Sequence, residues 1–450
     1  MDRYPGDVSR SKRPAGVTRH ASRRDILKKT ATLAAAGVLA ASHAAIARAK
    51  EPAAPGAGAL LHIDSALRAA TSTGELPGIV AMAASENGVV YEGIFGNRRL
   101  HDTPAMTRDT VFRIASMVKL ITSVAALQFV EQGKLSLDAP VPAIDPALGS
   151  PLVLDGFDAA GKPHLRPPRR PIALRHLLTH TAGFTYRLWD AEAIDYLKAV
   201  DKLPAAERSK FPRTPLMFDP GERWQYGPNI DWVGRIVESI SGEPLDSHLR
   251  KSIFEPLGMK DTAFVISSEQ RAREASGHRR LPDGSLKPEP MEREPKRQAA
   301  PQSFSGGGGI YSTAPDYLAL IRMLLSGGAL EGTRILRPET VALMGQNQIG
   351  RVEAGILKST APGLSNNVDF FPGISLKWGF GHMINMAPVP EGRSAGSLTW
   401  AGLYNTYYWI DPKRRIAAVF MTQLLPFADE RALHIYRAFE RGIYAAVKAS

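Results

Sequence analysis

The sequence predicts an α+β fold: an antiparallel sheet flanked by helices from the two ends of the chain, beside a mainly helical lobe built from the middle. Three observations carry this. Strand-like runs with hairpin turns gather near both ends, amphipathic helices lie outside them, and the stretch between is helical segments and Pro/Gly-rich loops. Residues 60–72 form the first helix. Residues 78–85 and 89–95 are strands on either side of Glu86-Asn87-Gly88, where Asn and Gly accept the positive φ of a tight hairpin. Toward the other end, the aromatic and β-branched runs 404–410 and 415–422 are joined by Asp411-Pro412-Lys413 as a second hairpin. Residues 430–447 close the chain as a helix with Leu433, Ile435, Phe439 and Ile443 among its apolar positions. Pairing the hairpins gives a sheet lobe of about 60–140 and 300–450 and a helical lobe of about 140–300. A cleft between such lobes is where a small ligand binds.

The 450 residues are 44% hydrophobic and 8% aromatic, enough for a substantial buried core. The net charge of +12 looks like a signal for an anionic partner until it is located. Residues 1–49 hold ten Lys and Arg against three Asp and Glu, leaving only +5 for all the rest. No basic run with interleaved aromatics follows, which argues against nucleic-acid binding. The leader itself reads Ser22-Arg23-Arg24-Asp25-Ile26-Leu27-Lys28, then an Ala-rich apolar stretch from Ala31 to Ala47. That pattern resembles a twin-arginine export signal, with Ala45-Ile46-Ala47 as a cleavage site. The expectation is a signal over 1–49, a linker over 50–59 and one domain over 60–450, exported by the twin-arginine translocase to the periplasm or beyond. No later segment has membrane-spanning length without charges, so no stable membrane insertion is expected after cleavage. The chain has no Cys, which excludes disulfides, a thiol nucleophile and thiolate metal sites.

Ser116-Met117-Val118-Lys119 opens an apolar helical run with Leu120, Ile121, Val124, Leu127 and Val130 on its buried positions and Gly133 as its stop. Three residues along a helix put a hydroxyl and an amine on one face. A serine hydroxyl is inert near neutral pH until a neighbouring base takes its proton, and an amine sheltered from water can serve. Free N–H groups at the helix start would stabilise the resulting alkoxide. The plain alternative is that Ser116 only caps the helix and Lys119 is solvated. A second copy, Ser9-Arg10-Ser11-Lys12, lies in the leader and has no such context.

Further motifs decide between these. Downstream stand Leu177-Leu178-Thr179-His180-Thr181-Ala182-Gly183, Pro220-Gly221-Glu222-Arg223-Trp224-Gln225-Tyr226-Gly227, Phe254-Glu255-Pro256-Leu257-Gly258-Met259 and Trp400-Ala401-Gly402. In this order the chain resembles the serine β-lactamase and penicillin-binding-protein superfamily over about residues 60–445. The likeness is to its class C-like branch, and most to the carboxylesterases of the family VIII type. The resemblance implies the β-lactamase/transpeptidase-like fold, Ser116 as acylated nucleophile, Lys119 as its base partner and Tyr226 as a second proton-transfer group. It also implies that Trp400 and Gly402 lie on an edge strand lining the cleft, with the Leu403 N–H joining that of Ser116 to bind an oxyanion.

Two departures set the substrate class. Penicillin-recognising members carry Lys or His, then Thr or Ser, then Gly on the edge strand, where cation and hydroxyl hold a carboxylate. Trp400 and Ala401 cannot, and a β-lactam or D-Ala-D-Ala end would lose a contact of about 1.5–3 kcal/mol. Where class C enzymes have Tyr, any residue, Asn, this chain has Tyr226-Gly227-Pro228, with Asn229 displaced by one. Both changes, and the stretch from Asp155 to Pro163, resemble the esterase branch with its neutral ester substrates. Asn405 stands where the pattern calls for Gly.

Other features are set aside. His176 and His180 are four apart, a metal-ligand spacing, but lack the Glu of an H-E-x-x-H motif and sit in a family landmark. Gly306 to Gly309 is not followed by Lys-Ser/Thr, so it reads as a turn where the backbone passes close to another element, leading to a Thr313/Asp316 cap on a helix ending at Gly327. Gly-x-Ser-x-Gly is absent. Phe184, Tyr186, Trp189, Phe370, Phe371 and Trp378 are candidates for an acyl pocket or for plain core packing. The sequence therefore predicts a serine hydrolase that cleaves small-molecule carboxylic esters through an acyl-Ser116 intermediate, without metal or cofactor. Alternatives are a β-lactamase or D-alanyl-D-alanine carboxypeptidase with another carboxylate anchor, and a non-catalytic ligand-binding module of the same fold.

Overall fold

A seven-stranded antiparallel sheet forms the centre of the computed structural model, which describes residues 57–100, 104–141, 145, 148, 150–289 and 303–448. The expected export signal over 1–49 and most of the expected linker over 50–59 lie outside the described residues. In chain order the strands are β1 (Gly78–Ser85), β2 (Gly88–Gly96), β3 (Leu376–Trp378), β4 (Met383–Asn385), β5 (Leu398–Gly402), β6 (Thr406–Asp411) and β7 (Ile416–Met421). Their spatial order is β3-β4-β5-β6-β7-β1-β2. The junction of the two hairpins is β1 on β7, from Val80 opposite Met421 to Ser85 opposite Ile416. That pairing joins residues more than three hundred apart and closes the sheet.

β1 (Gly-Ile-Val-Ala-Met-Ala-Ala-Ser) is buried on both faces nearly throughout, because helices cover both sides. One layer is α1 (Ala57–Ser72) against the C-terminal helix, called α7 below (Glu430–Lys448). The two approach closely at Gly442, where a Cβ would run into the Ile63 side chain. On the other face α6 (Ala314–Leu325) packs on β1 and β7, its start capped by the Thr313 hydroxyl accepting from Asp316 N–H at 3.3 Å.

Between lie α2 (Val118–Glu131), α3 (Leu174–Leu178), α4 (Ala191–Lys202) and α5 (Asn229–Ser241), with α2 packed on α5. α2 is buried almost all round, which a Leu/Ile/Val/Ala sequence with a single internal Lys permits. The middle of the chain also contains β-structure that its composition hides. Val153–Phe157 and Pro163–Arg166 form a hairpin, and His278–Arg280 pairs with Leu286–Pro288 and with Leu424–Leu425. These strands have two to five residues and no apolar alternation, so no period of two exists to be read. Among the described residues no helix is long and apolar enough to cross a membrane.

Candidate active site

The turn that carries Ser116 is more specialised than a helix N-terminus. α2 begins only at Val118; Ser116 sits in a preceding 3-10 turn, Ala115–Met117. Ala115 has φ +44°, a conformation that costs a non-glycine residue about 1–3 kcal/mol and persists only when its surroundings enforce it. Three contacts do so. Ile114 N–H donates to Ile310 O at 3.2 Å, the buried Tyr317 hydroxyl donates to Met117 O at 3.0 Å, and the end of β5 presses on the turn at Gly402. A Cβ on Gly402 would collide with Ile114 O and Thr406 Oγ1, so only glycine lets the strand come this near. Neither part of the plain alternative holds: Ser116 makes no capping bond, and Lys119 is 1% exposed.

Lys119 Nζ donates to Ser116 Oγ at 3.1 Å, to Tyr186 OH at 3.4 Å and to Gly307 O at 2.8 Å. Three acceptors match the three protons of an ammonium. Burial opposes that charge, but the Tyr186, Tyr226 and Asp231 oxygens outweigh it and hold Lys119 above the ordinary lysine value. Asp231, in the first turn of α5, accepts from Tyr186 OH at 3.4 Å, from Gly307 N–H at 3.2 Å and from Ser305 Oγ. Burial pushes the Tyr186 phenol up, against the pull of Lys119. The glycine run is thus the close backbone passage its composition implies: a Cβ on Gly307 would stand 2.7 Å from Asp231 Oδ2 and 3.1 Å from Lys119 Nζ.

Tyr226 lies on another side of the same amine, its ring centroid 5.0 Å from Lys119 Nζ. It is 1% exposed and ringed by His180, Tyr186, Trp189 and Trp400 with centroids 4.7–5.5 Å away. Its hydroxyl accepts from the Trp400 indole N–H at 3.0 Å. This changes the meaning of Trp400. The indole stands beside the site on β5, which is not the expected edge strand but the third of the sheet, because the short β3 and β4 pair outside it. Its only polar atom is committed to Tyr226 and it is 3% exposed, so it supports Tyr226 instead of gripping substrate. Leu403 follows β5 in a turn closed by Asn405 N–H on Gly402 O at 3.0 Å, which leaves the Leu403 N–H outside that bond.

Several other residues find their places. Asn405 has φ +60°, which Asn tolerates better than most residues, and its side chain donates to Leu424 O (2.7 Å) and Pro426 O (2.8 Å) while accepting from Tyr407 OH (2.6 Å). Asparagine therefore supplies the turn that glycine would, plus a tie to the C-terminal segment. Asn229 turns inward to Phe184 O (3.1 Å) and His180 Nδ1 (3.2 Å), so it offers nothing to an acylamino group. His176 Nδ1 accepts from Ala173 N–H at 3.1 Å, and His180 packs edge-on against Trp378, kept neutral by burial and by Lys119. Phe184 and Trp378 are core residues, the latter on β3, whereas Tyr186 is a member of the site. Sequence reasoning missed Asp231, and it read Gly307 only as part of a close backbone passage, not as the carbonyl that receives Lys119. Their place is set by contacts across long chain separations, and only Asp231's position five residues after Tyr226 hints at it.

A serine hydroxyl beside a buried ammonium and a buried tyrosine, on this fold, fits a serine hydrolase of the β-lactamase/transpeptidase-like kind. The chain belongs to the Beta-lactamase family, whose model matches residues 63–442. It is 33% identical over 413 residues to the ML-236A carboxylate methylbutanoyltransferase mlcH of Penicillium citrinum, covering 87% of this chain and 96% of that one. It is 31% identical over 400 residues to the lovastatin esterase of Penicillium rubens, covering 86% and 99%. Among solved structures, a mutant of the simvastatin synthase LovD from Aspergillus terreus superposes with a TM-score of 0.75 at 32% identity, covering 87% of this chain and all of that one. EstCE1, a hydrolase with promiscuous acyltransferase activity, gives 0.65 at 26% identity, covering 85% and 99%.

Proposed function

We propose that this chain is an exported carboxylesterase that cleaves small-molecule esters through an acyl-Ser116 intermediate. The observation that carries the reading is the Ser116–Lys119–Tyr226 cluster with Trp400 in place of a carboxylate-binding cation. Ser116 Oγ attacks the ester carbonyl as its proton passes to Tyr226, which enters the step as phenolate, countered by the Lys119 ammonium and the Trp400 N–H, and leaves it as phenol. The Ser116 and Leu403 N–H groups receive the developing oxyanion. The C–O bond breaks and the leaving alcohol takes the proton back from Tyr226. Water then repeats the sequence on the acyl-enzyme, releasing a carboxylic acid and free Ser116. An alcohol in place of water would give a new ester by the same steps, and the transferase and esterase relatives favour keeping that acceptor in view.

The test compares kcat/KM of the mature chain on a short-chain nitrophenyl ester and on a chromogenic cephalosporin, with Ser116→Ala alongside. Ester turnover that disappears in Ser116→Ala, with little lactam cleavage, supports the reading. Dominant lactam hydrolysis would overturn the argument from Trp400, and no turnover of either would favour a binding module.

A further inference from the structure

A concave site lies on the far side of Phe370 from Trp400. A cavity of about 210 Å³ opens between residues 370–374, the loop before Arg393 and the outer face of α7, and its walls include none of Ser116, Lys119 or Tyr226. Phe370, Phe371, Ile374, Val389 and Leu433 make it apolar. Along α7, Leu433, Tyr436, Arg437, Glu440 and Arg441 recur at three- and four-residue spacing, so one helix face supplies both apolar base and charged groups.

The charges at this cavity do not cancel. Glu440 is spent: its carboxylate accepts from Arg393 Nε at 2.7 Å, Nη2 at 2.8 Å and N–H at 3.0 Å, in a pair that is 0% and 4% exposed. Arg437 and Arg441 are exposed, and among the described residues neither guanidinium is paired with a carboxylate. Arg437 makes one bond, to Phe370 O at 3.4 Å. Glu391 shares a neighbouring groove with Arg441 without pairing with it. An apolar cavity beside two guanidiniums that pair with no carboxylate among the described residues asks for a ligand with a hydrocarbon body and an anionic end.

We propose that this cavity binds an aliphatic carboxylate, its chain among Phe370, Phe371, Ile374, Val389 and Leu433 and its carboxylate on Arg437 and Arg441. The volume equals about seven water-sized units, room for a chain of about six to eight carbons. Phe370 connects the cavity to catalysis. It lines the cavity and packs edge-on against Trp400 at 6.0 Å, and Trp400 holds the Tyr226 hydroxyl. A ligand that shifts Phe370 therefore bears on the proton-transfer group, and the acid released by ester cleavage has the matching chemistry. That connection rests on the esterase reading, whereas the binding site does not.

Calorimetric titration of the mature chain with octanoate, hexanoate, octanol and acetate tests it, since none of these probes is an ester. Octanoate should bind once per chain, about fourfold more tightly for each methylene gained over hexanoate. Octanol and acetate should each bind at least tenfold more weakly. Leu433→Trp, which fills the cavity, and the exposed double change Arg437→Glu with Arg441→Glu should each weaken octanoate at least tenfold, with circular dichroism unchanged. Absence of saturable octanoate binding, equal binding of octanol, or binding that survives both variants would overturn the proposal. Each of these outcomes can occur whether or not the chain cleaves esters.

Discussion

Replacing Trp400 by Phe isolates one hydrogen bond at the centre of the proposed chemistry. The smaller ring can keep much of the packing against Tyr226, Trp378 and Phe370, whose centroids lie 4.8, 4.7 and 6.0 Å from that of Trp400. The indole N–H, 3.0 Å from the Tyr226 oxygen, is lost. If that oxygen carries negative charge while Ser116 attacks, the bond is charge-assisted in the transition state and worth about 1.5–3 kcal/mol, or roughly 10- to 150-fold in rate. The void left by the indole costs stability, about 1–3 kcal/mol, so the rate is read well below the melting temperature. The assay is kcat and KM for a nitrophenyl ester, in a cycle with Tyr226→Phe. Trp400→Phe should lower kcat with little change in KM and should have no further effect once Tyr226 is Phe. A kcat within twofold of the parent, or an equal loss in the Tyr226→Phe background, would refute the assignment of Trp400 to Tyr226.

Four further outcomes follow from the same geometry. Asp231→Asn removes a countercharge that holds Lys119 above its ordinary value, so Lys119 should lose its proton earlier and the alkaline limb of kcat/KM should move down by about one pH unit, read from a pH–rate profile. Gly307→Ala drives a methyl between Asp231 and Lys119 and should reduce kcat at least tenfold, while the overpacking, about 1–3 kcal/mol, also lowers the melting temperature, measured by initial rates well below it and by calorimetry. Asp316 is raised by burial to about 6; a raised carboxyl favours the folded state below its unfolded value of 3.8 and loses that advantage as pH rises through 6. The parent should therefore lose about 2 kcal/mol of stability between pH 4 and 7 that Asp316→Asn does not, by denaturant titration at each pH. Finally, Arg23→Lys with Arg24→Lys should trap the full-length chain inside the cell, read by fractionation; normal export would contradict the twin-arginine assignment.

The four strands of the two hairpins were legible because each has six to nine residues and a run of apolar side chains, whereas β3 and β4 have three residues each and show no pattern to read. Residues 78–85 coincide with β1, and 430–447 falls one residue short of α7. The second hairpin was placed with its first strand two residues early, since Tyr404 and Asn405 look like strand but form the turn. Local pattern could not show that Ser116 precedes its helix in a 3-10 turn, because the cause is tertiary: Tyr317, Ile310 and Gly402 hold Ala115 at positive φ. The chemistry divided in the same way. Ser116 and Lys119 are neighbours in sequence and could be paired on paper, and Tyr226 came from an ordered motif. Tyr186 and Asp231 meet Lys119 only because α2, α5 and the glycine passage converge, and no spacing rule encodes that convergence. Trp400 was read from sequence only as the absence of a carboxylate-binding cation; its actual bond, to Tyr226, needed coordinates.

These contacts give the site a consistent physical logic. Lys119 is sealed from water and surrounded by acceptors, so it serves as a fixed positive charge between the Ser116 hydroxyl and two phenols. Charge that leaves Ser116 is thereby kept within one buried cluster instead of being handed to solvent.

The most direct test of the account is the acyl-enzyme itself. The mature chain is mixed with nitrophenyl butyrate, quenched in acid within the first turnovers, and examined by intact mass and peptide mapping. The account predicts one butyryl group per chain on the peptide carrying Ser116, and none in Ser116→Ala. Turnover without an acylated chain, or a butyryl group on another residue of the catalytically competent protein, would contradict it.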